Sequence, residues 1–118
     1  MYSSLVALEV VGQLNKIAID SKAIIKKFAL TNEEIDERLL LRIAKDEGFK
    51  SKFKKLTLDN LSKYPLPAIA RFNDGMYVTI LRIDMDKQEI LLFDKQNNQP
   101  YTKPFEEFKQ IAKDEVII

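Results

Sequence analysis

Apolar residues recur at helical spacing from Ser3 to Glu47 and at strand spacing from Phe49 onward. That change of period limits the chain to few architectures, because a 3.6-residue pattern cannot bury its apolar side as a strand, nor a two-residue pattern as a helix. In the first half Leu5, Leu8 and Val11 or Gly12 share one face, then Ala23, Ile24 and Phe28, then Ile35, Leu39 and Ile43, which predicts three helices. Asp20 and Ser21 are N-cap residues for the second. Thr31 and Glu34 have capping-box spacing for the third, whose first turn would hold Glu33, Glu34, Asp36 and Glu37 as a solvated cluster that complements the helix dipole. Gly48 ends it.

The second half predicts strands at Lys50 to Leu56, Ala68 to Phe72, Met76 to Ile83, Glu89 to Phe93 and Glu115 to Ile118. One helical turn at Asp59 to Lys63 and a short helix at Pro104 to Lys109 interrupt them. Asn73, Asp74 and Gly75 between two apolar runs form the strongest local signal, a hairpin turn. Asp84 to Gln88 reads as a second turn and Lys95 to Thr102 as a polar loop. Helices followed by antiparallel strands give an α+β fold, with N-terminal helices packed on an antiparallel sheet, as a single domain over residues 1–118. Leu5, Leu8, Ile43, Ile69, Ile80 and Leu92 are the expected core.

The chain has no cysteine and no histidine. This removes thiol nucleophiles, Ser-His and Cys-His pairs and Cys/His zinc sites, and leaves Asp, Glu, Lys and Tyr for any acid–base work. A formal net charge of +1 argues against a dedicated nucleic-acid binder, whose affinity comes largely from neutralising phosphates. No stretch approaches the roughly 20 apolar residues of a membrane span, so no direct membrane insertion is expected.

Several residues invite a functional reading beside a simpler one. Lys50, Lys52, Lys54 and Lys55, with Phe49 and Phe53 between them, could meet an anionic partner, but an edge strand whose lysines deter pairing with other chains explains them as well. Asp84, Asp86 and Glu89 lack the glycine and closing glutamate of a calcium loop and suit a turn, so no metal is assigned. Tyr77 reads, on physics alone, as a packed sheet residue with its hydroxyl at the rim. Arg71 interrupts an apolar strand, and Asp94 closes the strand that follows the hairpin.

Six segments, in order, carry a resemblance: Ser3 to Glu9, Gly48 to Lys52, Leu66 to Ala70, Asn73 to Tyr77, Leu92 to Asp94, and Phe108 to the closing Val116, Ile117 and Ile118. Together they resemble the N-terminal domain of type I secretion ABC transporters of the haemolysin-B kind. That domain is similar to the bacteriocin-processing cysteine peptidases, family thirty-nine, which have a papain-like fold. In the active peptidases a Cys-Gly-x-x-x-Leu motif opens the first helix, and its positions here are Ser3, Ser4 and Leu8. The position of the catalytic histidine is Tyr77, that of the acidic orienting residue is Asp94, and the oxyanion glutamine would fall upstream of Met1.

The resemblance implies a papain-like domain with no catalytic residues, its degenerate positions being Ser3, Tyr77 and Asp94. It implies a docking role toward an unfolded RTX-type toxin or adhesin, with Arg71, Tyr77 and Asp94 along the binding groove. Relatives usually carry a tryptophan where this chain has Arg71. The implied partners are the unfolded secreted protein and the rest of the ABC transporter, with no nucleic acid. The implied location is the cytoplasmic face of the bacterial inner membrane, and the implied cofactor set is none in this domain, with ATP in the parent transporter. Two alternatives stay open: an active processing peptidase with an unorthodox site, and a winged-helix-like nucleic-acid-binding module.

Overall fold

The computed structural model describes residues 2–31, 33–55, 57, 66–113 and 115–117. Three helices come first: α1 (Ser3–Leu14), α2 (Ser21–Lys27) and α3 (Glu37–Asp46). Strands β1 (Phe53–Lys55), β2 (Ala68–Arg71), β3 (Tyr77–Asp84), β4 (Glu89–Phe93) and β5 (Tyr101–Pro104) follow, then helix α4 (Phe105–Ile111) and strand β6 (Glu115–Ile117). The strands form one six-stranded sheet in the order β1-β6-β2-β3-β4-β5, and every pairing is antiparallel. The last strand therefore inserts between β1 and β2, tying the end of the described chain into the sheet.

Strand alternation divides the core in two. Ile69, Tyr77 and Ile117 face the N-terminal helices and pack with Leu5, Leu8, Leu40 and Ile43. Ala68, Ala70, Val78, Ile80 and Leu92 face the other way, against Phe105 and Phe108 of α4. All six residues expected in the core are buried. Gly12 is where the chain after α1 folds back on the helix: the Ile17 amide donates to the Gly12 carbonyl at 2.8 Å. A Cβ at Gly12 would stand 2.6 Å from the Ile17 carbonyl oxygen, so only glycine fits without a backbone shift.

The hairpin stands as expected. The Phe72 amide donates to Met76 O at 2.8 Å, and Gly75 takes a φ of +99°, a value a side chain disfavours. Asp84 Oδ1 accepts the amides of Asp86 and Lys87 and so closes the second turn. β1 lies at the edge of the sheet, as its lysines suggested.

Two expectations need correction. The third helix starts at Glu37, not near Thr31: its cap is Asp36, whose carboxylate accepts from the Leu39 amide at 2.8 Å. Ile35 and Leu40, at the N′ and N4 positions about that cap, are both buried in the same cluster, and this hydrophobic staple selects Asp36 over Thr31. Tyr101 and Thr102, read as loop, belong to β5, paired with Leu92 and Leu91. A four-residue strand with one large apolar residue has too little periodicity to show in sequence, and the free edge of β4 decides it. The turn expected at Asp59 to Lys63 lies outside the described residues. A six-stranded sheet with helices on both faces is not a winged helix.

Candidate functional site

Helix α1 packs across β3 and brings its first turn to the start of the hairpin strand. There the main-chain amide of Tyr77 donates to Ser3 Oγ at 2.9 Å. Ser3 Oγ in turn donates to the carboxylate of Glu34. The same carboxylate accepts from the Ser4 amide at 2.9 Å, from Ser4 Oγ at 3.0 Å and from its neighbour's amide, Ile35, at 3.1 Å. Tyr2, at the N-cap position of α1, supplies no side-chain cap. Glu34 supplies it from 30 residues away, satisfying one of the amides a helix start leaves unpaired and placing a negative charge at the positive end of the helix.

Ser3 and Tyr77 thus meet, but not as nucleophile and base. The Tyr77 ring is 1% exposed, and its hydroxyl donates to the Ile35 carbonyl at 2.6 Å. Its hydroxyl is not at the rim, which corrects the sequence reading: a central strand position facing the helical layer is closed over. Burial pushes the Tyr77 phenol well above its ordinary value, with Arg71 opposing, so the hydroxyl stays protonated at neutral pH.

Arg71 covers the Tyr77 ring, its guanidinium carbon 4.7 Å from the ring centroid. Its Nε donates to the Gly75 carbonyl at 2.8 Å and its Nη1 to Glu37 Oε1 at 2.9 Å. Lys113 Nζ reaches the same oxygen at 3.0 Å. Burial alone would raise the Glu37 carboxyl, but the hydrogen bonds from Arg71 and Lys113 outweigh it and hold the group at about 2, against an ordinary 4.5. A depressed carboxyl stabilises the fold fully above the unfolded value and loses that contribution as pH falls from about 4.5 toward about 2. Because the Glu37 side chain is 35% exposed, solvent screening cuts the contribution to about 1 kcal/mol. Urea denaturation should therefore show native protein more stable than Glu37→Gln at pH 6, with the gap closing by pH 2. A gap that stays constant across that range would refute the assignment.

Asp94 is 3% exposed and turned elsewhere. It accepts from the Asn97 amide at 2.8 Å, from Asn97 Nδ2 and from the Tyr101 hydroxyl, closing the turn after β4. A cleft of about 510 Å³ opens beside Ser3, Glu34, Arg71, Gly75, Met76 and Lys95. Asp94 lines a neighbouring cleft, of about 570 Å³, with Asn97 and Tyr101. Of the expected groove residues, Arg71 and Tyr77 lie together at the Ser3 end, and all three have their polar groups engaged within the fold. Glu34 was missed. Its spacing from Thr31 fits a capping box for α3, and no local pattern marks its partnership with Ser3 and Ser4.

Ser3 at the start of α1 abuts Tyr77 at the start of the second hairpin strand, the placement that the resemblance to a papain-like peptidase domain implied. The comparisons agree: residues 2–118 match the peptidase C39 family, and the chain belongs to it. The leukotoxin export ATP-binding protein LtxB of Aggregatibacter actinomycetemcomitans is 31% identical over 115 residues, 98% of this chain and 16% of that protein. The alpha-hemolysin translocation ATP-binding protein HlyB of Escherichia coli O157:H7 is 26% identical over 117 residues, 99% of this chain and 17% of that protein. The chain thus spans about a sixth of the length of these relatives. Among solved structures, the N-terminal peptidase C39 like domain of a toxin secretion ATP-binding protein from Vibrio parahaemolyticus superposes with a TM-score of 0.85 at 21% identity, covering 99% of this chain and 94% of that one. A double glycine motif protease from an AMS/PCAT transporter, in complex with its leader peptide, superposes with a TM-score of 0.81 at 17% identity, covering 99% and 82%. Both share the papain-like α+β fold.

Proposed function

We propose that this chain is a catalytically inert C39-family domain that holds an unfolded secreted protein of the RTX toxin or adhesin type for an ABC exporter, at the cytoplasmic face of the inner membrane. One observation carries the inert part: the Ser3 hydroxyl is bound between Glu34 and the Tyr77 amide while the Tyr77 hydroxyl is committed to Ile35. With no cysteine and no histidine in the chain, nothing at Ser3 reproduces a thiolate and imidazole. The docking part is supported by the named relatives, which are translocators of toxins. In this reading the ATP site and the membrane passage belong to the rest of the transporter. Arg71 remains the groove residue best placed to meet a substrate, since of Arg71, Tyr77 and Asp94 it is the one that lines the Ser3 cleft.

Two measurements test it. Peptides carrying a double-glycine leader, incubated with the domain and followed by mass spectrometry, should show no cleavage above a heat-killed control, and turnover would overturn the inert assignment. An NMR titration with a calcium-free, unfolded RTX-type repeat fragment should shift resonances of the domain, while the calcium-loaded, folded fragment should not. Equal binding of both forms would overturn the docking assignment.

A further inference from the structure

We infer that Glu34 is a built-in occupant of the inherited cleft: carried on the connection between α2 and α3, its carboxylate fills the space before Ser3 and takes up the donors a bound chain would need there. The inference rests on the reading of this cleft as the remnant peptidase site, and it explains why the Ser3–Ser4 turn offers a bound chain no donors, although the cleft beside it stays open.

The geometry separates an occupant from an ordinary cap. Glu34 lies outside α3 and is not needed to cap it, because Asp36 does so. Both of its carboxylate oxygens are spent on the Ser3–Ser4 turn and the adjacent Ile35 amide. A peptide carbonyl placed at the start of α1 would compete for the Ser4 amide and for the two serine hydroxyls, all of which already point at Glu34. Electrostatics act in the same direction. A thiol at position 3 would ordinarily ionise readily at a helix start, and a carboxylate in hydrogen-bond contact opposes a second negative charge there. Among the described residues, the other charged groups on the cleft are Arg71, which Glu37 already engages, Asp74, whose Oδ1 accepts from the Met76 amide, and Lys95.

The chain has no cysteine, so Ser3→Cys introduces a single thiol whose reactivity reports on this spot. Three proteins are compared: Ser3→Cys alone, with Glu34→Gln, and with Glu34→Ala, each checked for folding by its amide NMR spectrum. Alkylation by iodoacetamide, a neutral probe, is followed by mass spectrometry against pH. With Glu34 in place the thiol should titrate above the ordinary value of about 8.5. Glu34→Gln should lower that midpoint by about one pH unit or more, and Glu34→Ala should also raise the limiting rate about tenfold as the space before the sulfur opens. An unchanged midpoint or an unchanged limiting rate overturns the inference; should the alanine variant fail to fold, the glutamine midpoint alone decides. No substrate enters the measurement, so it fails or holds independently of the docking and cleavage tests. Cleavage by the native domain that Glu34→Gln abolished would make Glu34 a base, against both readings.

Discussion

Tyr77→Ala will cost this domain about 3–5 kcal/mol, the range for truncating a buried aromatic side chain. The ring is 1% exposed between β3 and the N-terminal helices, so its loss leaves a cavity that α1, α3 and the sheet can only partly close. The Ile35 carbonyl loses the hydroxyl that satisfies it, and Arg71 loses the ring beneath its guanidinium. For a chain of 118 residues whose total stability falls in the usual 5–15 kcal/mol, this removes a large share. Thermal unfolding followed by circular dichroism should show a drop of roughly 10–25 °C. Tyr77→Phe isolates the hydroxyl and should cost about 1–3 kcal/mol, the penalty for leaving the Ile35 carbonyl unpaired. Tyr77→Ala melting within a few degrees of the native protein would show that the ring is not in the core. A binding assay on Tyr77→Ala therefore reads the fold and not the groove, which makes Arg71 and Glu34 the better positions for probing the cleft.

Most of the fold was legible because its signals are local or periodic. The stripe of Leu5, Leu8 and Val11, the Asp20 cap and the glycine turn between β2 and β3 are each decided within a few residues, and the structure keeps them. β5 was not legible because an open edge on β4 recruits it, and that edge exists only after the sheet has formed. The start of α3 was misread for a related reason. Thr31 and Asp36 both fit a cap by type, and the choice between them was made by Ile35 and Leu40 entering the core together.

The site shows the same division. Ser3 beside Tyr77 followed from matching positions in the resemblance, because helix α1 and the hairpin are each well specified. What those side chains do there did not follow. Tyr77 points inward because its strand position faces the helical layer, and the Ser3 hydroxyl is held because a glutamate 31 residues away reaches it. Pairings across such separations have no local pattern. The zero counts of cysteine and histidine excluded a familiar active site from the start, yet they could not say what fills its place.

Phe108→Ala should destabilise the domain by about 3–5 kcal/mol and do so from the opposite face of the sheet. α4 has seven residues, too few to hold a helix on its own propensity, so it depends on what it buries. Phe105 and Phe108 are its buried residues, and the Phe108 ring stands edge-on to Phe72 with centroids 6.0 Å apart. That contact adds about 0.5–1.5 kcal/mol beyond area alone. The chain leaving α4 is then fastened to the hairpin by the Asn73 amide on the Ile111 carbonyl and the Lys113 amide on the Arg71 carbonyl, both at 2.8 Å. Loosening α4 should therefore weaken these two bonds before the helical face is disturbed, and with them the position of Lys113 beside Glu37. Amide hydrogen exchange in Phe108→Ala, under conditions where the variant remains folded, should show the Asn73 and Lys113 amides losing protection while the Ser4 amide, held by Glu34 on the far side, keeps its own. Equal loss at all three would mean that the two faces of the sheet open as one unit. Loss at Ser4 alone would place the weakness at α1 and not at α4.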